Sequence, residues 1–235
     1  MTESPVGLVV AMPAEARTLG LRRVAVGQGR EVSGARVVIA GIGPSRAAAA
    51  AQRLRREGVA ALLSWGVAGG VAAGLRPGAL LVPSLLMTED APPLSVDPAW
   101  QARLVQALSV LGPVDQSPLH SRAAPLAATD DKRALAAQGI GAVDMESAAV
   151  ARVAAAAGLP FAAVKTVCDP ADRALPPALP GLLDERGRLR AGGLRDALAG
   201  GPRLWRQLDR LRRDYAAARR ALAAAAPLAL RILPG

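Results

Sequence analysis

Short continuous apolar runs recur along the chain, most of them closed by glycine or an acidic residue and followed by a stretch of helical character. Residues 6–11 and 37–40 read as β-strands, the second running directly into Gly41-Ile42-Gly43. Residues 44–57 read as an Ala- and Arg-rich helix stopped by Gly58. Residues 60–65 are apolar apart from Ser64, which suits a central strand buried on both faces, and they lead into Gly66-Val67-Ala68-Gly69-Gly70, read as a loop. A strand at 80–82 follows, then a helix from the Asp97-Pro98 cap to about 111. After a polar stretch at 117–131 come a helix at 132–138, a strand at 142–143, and an Ala-rich helix opened by Asp144-Met145-Glu146 and ended by Gly158. Residues 161–167 form a strand presenting Cys168-Asp169. This alternation predicts one α/β domain with a mostly parallel or mixed sheet, its functional residues gathered at strand ends.

Beyond Asp169 the pattern changes. Residues 175–180 are Pro-rich, 184–193 polar, and 202–226 helical, with Leu204, Leu208, Leu211, Tyr215 and Leu222 on one face and arginines over much of the rest. An apolar segment, 227–235, closes the chain. The longest uncharged stretch, 58–75, holds Ser64 and five glycines, which favours a strand and loop over a membrane helix.

Composition narrows the chemistry. With 51% hydrophobic and 20% charged residues the 235-residue chain is not disordered, and one Cys and one His argue against disulfide scaffolds, metal sites and His-dependent triads. The net charge of +10 is unevenly placed: residues 1–185 carry +1 and residues 186–235 carry +9. A basic tail suits nucleic acid, an anionic membrane surface or plain solvation. Interleaved aromatics are lacking, which argues against nucleic acid. The N-terminus has acids where a signal peptide needs basic residues, so a cytoplasmic protein is expected.

Gly41-x-Gly43 lacks the third glycine of a dinucleotide fingerprint, and no P-loop is present. The glycine-rich turns either serve topology alone or let backbone approach a small polar ligand. Glu15, Glu146 and Asp169 each lie at or just beyond a strand end and could share one pocket. Together they supply what glycosidic cleavage needs: an acid, a base and an anchor for sugar hydroxyls.

These residues carry a resemblance. Ala11-Met12-Pro13-Ala14-Glu15, Gly41-Ile42-Gly43, Gly66-Val67-Ala68-Gly69-Gly70, Asp144-Met145-Glu146-Ser147-Ala148-Ala149 and Cys168-Asp169-x-x-Asp172 resemble, in order, the motifs of the nucleoside phosphorylase and 5'-methylthioadenosine nucleosidase family. The C-terminal part resembles the hopanoid-associated subgroup. The resemblance implies a single-domain three-layer α/β/α fold with a mixed central sheet, a catalytic domain over 1–185, and a basic amphipathic helical extension over 186–235 packed on or beside it. It implies cleavage of adenosylhopane to adenine and ribosylhopane, or its 1-phosphate. A soluble methylthioadenosine or adenosylhomocysteine nucleosidase is the alternative, and a non-enzymatic nucleoside-binding protein a third reading.

By the same resemblance Asp169 protonates or hydrogen-bonds adenine N7, Glu146 binds ribose hydroxyls beside Met145, and Glu15 activates water. Asp144, Val67, Ala68 and Gly69 line the substrate site. Val67 stands where a hydroxyl residue is usual, Cys168 where Ser is common, and no aromatic partner for adenine is evident near residues 129–133. Gly43 and Arg46 are candidate phosphate contacts, although Arg46 equally suits an exposed first helical turn. Hydrolysis is favoured because Glu15 repels phosphate. No cofactor is implied, with inorganic phosphate a co-substrate only for a phosphorylase. The implied partners are a lipid-linked adenine nucleoside, a second copy in a homodimer or larger homo-oligomer, and the inner membrane surface, met by the helix arginines and residues 228–233.

Overall fold

A central strand, β4 (Ala61–Gly70), organises the molecule. The computed structural model describes residues 4–89, 91–176, 179, 190 and 201–234. One edge of β4 pairs along most of its length with β11 (Phe161–Asp169), in parallel. Its other edge is shared. β1 (Val6–Val10) runs parallel to Ala61–Trp65, whereas β10 (Ala142–Asp144) pairs antiparallel with Gly69 and Gly70. Between them, Gly66 to Ala68 have no strand neighbour on that edge, and the site is built there.

The rest of the sheet extends from these strands. β2 (Gly29–Val32) and β3 (Ala35–Ile39) lie beyond β1. β5 (Leu80–Leu81) and β8 (Val114–Asp115) lie beyond β11. β9 (Leu119–Ser121), β6 (Leu85–Met87) and β7 (Leu94–Ser95) continue from β10, giving one mixed α/β sheet of eleven strands among the described residues. The α-helices among the described residues are α1 (Pro13–Ala16), α2 (Pro44–Arg56), α3 (Pro98–Leu108), α4 (Thr129–Ala136), α5 (Ser147–Ala157) and α6 (Gly201–Leu230). One apolar cluster joins β1, β3, β4 and β11 to α3 and α6; a second seals the opposite sheet face beneath α2 and α5. Both faces of the sheet are therefore covered, as expected for three layers.

Two expectations need correction. Gly66 to Gly70 are strand, not loop. Their glycines serve close approach: a Cβ on Gly66 would sit 2.7 Å from Glu15 Oε1, and one on Gly70 would sit 3.0 Å from the Asp169 carbonyl. The C-terminal helix also runs through Pro227 to Leu230, past the expected end near 226. Ala225, Ala226 and Ala229 are buried, and Leu228, Leu230, Ile232 and Leu233 pack against the core. Burial of that face offsets the unfavourable proline. The second half of α6 thus belongs to the core, while the expected boundary at 185/186 lies outside the described residues.

Candidate active site

Glu15 is fixed by the fold's first turn. β1 ends, Pro13 starts α1 at the position where its missing N–H costs nothing, and Glu15 Oε2 accepts the Met12 amide at 2.9 Å. Its Oε1 accepts the Val67 amide at 2.9 Å, one of the backbone groups left without a strand partner where β1 and β10 diverge. Thr18 Oγ1 donates to the Glu15 carbonyl at 2.6 Å and accepts from Trp65 Nε1 at 3.0 Å, so the turn is pinned to β4. Only 2% of Glu15 is exposed. Burial raises its pKa, outweighing Lys165 and the two amides.

Glu146 arrives from β10 as the residue before α5. Its Oε1 accepts the Gly43 amide at 2.8 Å. Gly43 has φ 107°, a conformation only glycine adopts without strain, which turns its N–H toward the carboxylate. Burial, then the neighbouring Asp144 carboxylate, pushes the Glu146 pKa up to about 7. Asp144 is saturated by protein donors: the hydroxyls of Ser121 and Ser147, the Ser147 amide at 3.1 Å, and Lys165 Nζ at 2.9 Å. Burial alone would raise Asp144, but Lys165 and the serine hydroxyls outweigh it and hold the carboxyl below its usual range. Lys165 is 2% exposed, and Asp144 and Glu146 raise its pKa despite burial.

Asp169 closes β11. The pairing register shifts between Val167 and Asp169, a bulge at Cys168 that re-aims the carboxylate. Oδ2 takes Lys132 Nζ at 2.6 Å, while Cys168 Sγ lies 3.3 Å from Oδ1. A Cβ on Gly69 would sit 3.1 Å from Asp169 Oδ1, so this glycine makes room for the acid. Burial, then Asp169, raises the Cys168 pKa well above the usual thiol range, which leaves it an inert thiol beside the acid.

Glu15, Glu146 and Asp169 line one cleft of about 790 Å³, together with Met145, Asp144, Val67, Ala68 and Gly69. Neither Gly43 nor Arg46 lines it; Gly43 spends its amide on Glu146, and the Arg46 side chain packs over Gly41. The C-terminal part adds an apolar lining, Leu175, Leu179, Trp205, Leu208, Leu211 and Tyr215, interrupted by Asp209 and Arg212. Lys132 and Lys165 are functional neighbours that motif reading missed. A signal existed: they are the two lysines in a chain with 27 arginines, and both are buried against a carboxylate. No helix among the described residues is long and apolar enough to cross a membrane.

The fold is shared with solved nucleosidases. S-adenosylhomocysteine nucleosidase from Streptococcus pyogenes is 20% identical with a TM-score of 0.72, over 100% of this chain and 99% of that one. Futalosine hydrolase from Helicobacter pylori is 15% identical with a TM-score of 0.71, over 98% of each chain. The 5'-methylthioadenosine/S-adenosylhomocysteine nucleosidase from Neisseria meningitidis is 20% identical with a TM-score of 0.67, over 95% of this chain and 97% of that one. No curated protein sequence matches the chain. The Phosphorylase superfamily model matches residues 5–185, a span that holds Glu15, Glu146, Asp169 and both buried lysines, and the chain belongs to that superfamily.

Proposed function

We propose that the protein hydrolyses the N-glycosidic bond of an adenine nucleoside bearing a large apolar 5' substituent, with adenosylhopane as substrate and adenine and ribosylhopane as products. The observation that carries this reading is the cleft itself: it brings Glu15, Glu146 and Asp169 together with the apolar side chains Trp205, Leu208, Leu211 and Tyr215 of α6. Its volume of about 790 Å³ lies in the upper part of the range for small-molecule sites.

The chemistry follows from the geometry. As the C1'–N9 bond breaks, its electron pair leaves on the base, where Asp169 hydrogen-bonds the N7 and amino edge, and N7 takes up a proton from solvent, balanced by the proton that the attacking water gives up. Glu146, ionised, binds sugar hydroxyls and stabilises the positive charge that develops on the ring. Water adds to C1', and its proton passes to Glu15, whose raised pKa suits a base. The amides that would otherwise cradle a phosphate, those of Gly43 and Val67, are already held by carboxylates, which favours water as nucleophile. A membrane-held substrate is met by docking through exposed Arg206, Arg210, Arg213 and Arg220 on α6, with Trp205, 43% exposed, beside the cleft mouth. The corresponding location is the cytoplasmic face of the inner membrane.

Incubation with adenosylhopane and with methylthioadenosine, with and without phosphate, tests the reading by mass spectrometry of the products. Phosphate-independent adenine release from adenosylhopane is expected. Turnover of methylthioadenosine alone leaves the soluble nucleosidase in its place.

A further inference from the structure

Lys132 has no role in the chemistry above, yet it is completely buried and its ammonium is used to the full. Nζ donates to Asp169 Oδ2 at 2.6 Å, to the Pro170 carbonyl at 2.9 Å and to the Arg173 carbonyl at 3.1 Å. Three acceptors match the three N–H bonds of an ammonium. α4 thus fastens both the cleft acid and the chain that leaves β11.

We propose that Lys132 is a specificity-determining positioning residue that makes Asp169 an acceptor toward the base and so selects 6-aminopurine over 6-oxopurine nucleosides. The inference rests on the nucleoside-cleaving reading of the cleft. A carboxylate in an ion pair with a buried lysine has lone pairs to offer and no proton. Among the described residues the other polar group hydrogen-bonded at its oxygens, the Cys168 thiol, is a weak donor on Oδ1, which keeps a free lone pair on a residue that lines the cleft. A 6-amino group donates to that lone pair. A 6-oxo group places a second acceptor against the carboxylate, and the mismatch is made where water cannot relieve it, since Asp169 is 6% exposed. In this arrangement Asp169 holds the N7 proton once the base carries it, but does not bring it into the site.

The test uses formycin A and formycin B, C-nucleosides that cannot be cleaved and differ as adenosine differs from inosine at the 6 position. Dissociation constants are measured by calorimetry for the native chain, Lys132→Met, Lys132→Gln and Lys132→Arg, each checked for folding by thermal melting. The native chain is expected to prefer formycin A by about tenfold or more. Lys132→Met reduces the preference to within about threefold, and Lys132→Arg, which keeps the cation, restores most of it. If Lys132→Met does not fold, Lys132→Gln, a neutral donor, gives the same comparison. An unchanged ratio in a folded neutral variant, or no preference in the native chain, overturns the role of Lys132 while leaving the catalytic reading intact. Formycin binding with the expected ratios but no adenine release from any nucleoside overturns the catalytic reading alone. Binding of neither analogue overturns both.

Discussion

Glu146 carries the pH dependence of the site, and its two consequences have opposite signs. Because burial and Asp144 raise its pKa from 4.5 to about 7, the folded chain binds this proton more tightly than the unfolded chain. Its contribution to stability is fully present below 4.5 and is lost as pH rises through about 7. At roughly 1.4 kcal/mol per pH unit the interval is worth about 3 kcal/mol, and screening by water in the cleft brings the measurable part nearer about 2 kcal/mol. Activity runs the other way, rising through about pH 7 as Glu146 ionises to face the cationic sugar. Other groups titrate nearby. Glu15, raised by burial, adds to the loss of stability, whereas His120, lowered by burial and then by Arg122, opposes it below pH 6.5. The comparison with Glu146→Gln isolates the one carboxyl. Urea unfolding followed by tryptophan fluorescence at pH 5, 6, 7 and 8 is expected to show the native chain losing about 2 kcal/mol relative to the variant across that range. A difference that stays constant from pH 5 to pH 8 refutes the assignment.

Three further outcomes follow from the same geometry. Gly66→Ala puts a methyl 2.7 Å from Glu15 Oε1, and that carboxylate is pinned by two amides and cannot simply swing aside. Turnover should fall about a hundredfold with the far-UV circular dichroism spectrum unchanged. Lys165→Met leaves Asp144 buried without its cation; urea denaturation should register a loss of about 3–5 kcal/mol, and the rise in activity should move above pH 7. Leu208→Asp places a charge in the apolar wall; adenine release from the lipid-linked nucleoside should drop at least about tenfold, while any release from methylthioadenosine changes little.

How much of this was legible in the sequence depended on whether a residue's role was local. The strands read at 6–11 and 161–167, the α2 and α5 helices and the convergence of Glu15, Glu146 and Asp169 follow from apolar runs, caps and motif order, the second strand running two residues further to Asp169. Gly66 to Gly70 was read as a loop because glycine density usually marks turns; the carboxylates that need the space of those missing side chains come from distant parts of the chain. The short strands β6 to β9 carry two or three residues each, too few for a period to show. Lys132 and Lys165 were passed over because their partners lie 37 and 21 residues away. Neither spacing is a motif. The packing of Leu228, Leu230, Ile232 and Leu233 against the core is equally hidden, since an apolar segment reads alike whether it packs on a core or on lipid.

The most direct test of the account is one turnover of adenosylhopane by the purified protein in phosphate-free buffer made with ¹⁸O-labelled water. Release of one adenine with one ¹⁸O at C1' of ribosylhopane is the predicted result. An unlabelled sugar product, a strict requirement for phosphate with a 1-phosphate product, or an intact nucleoside would contradict it.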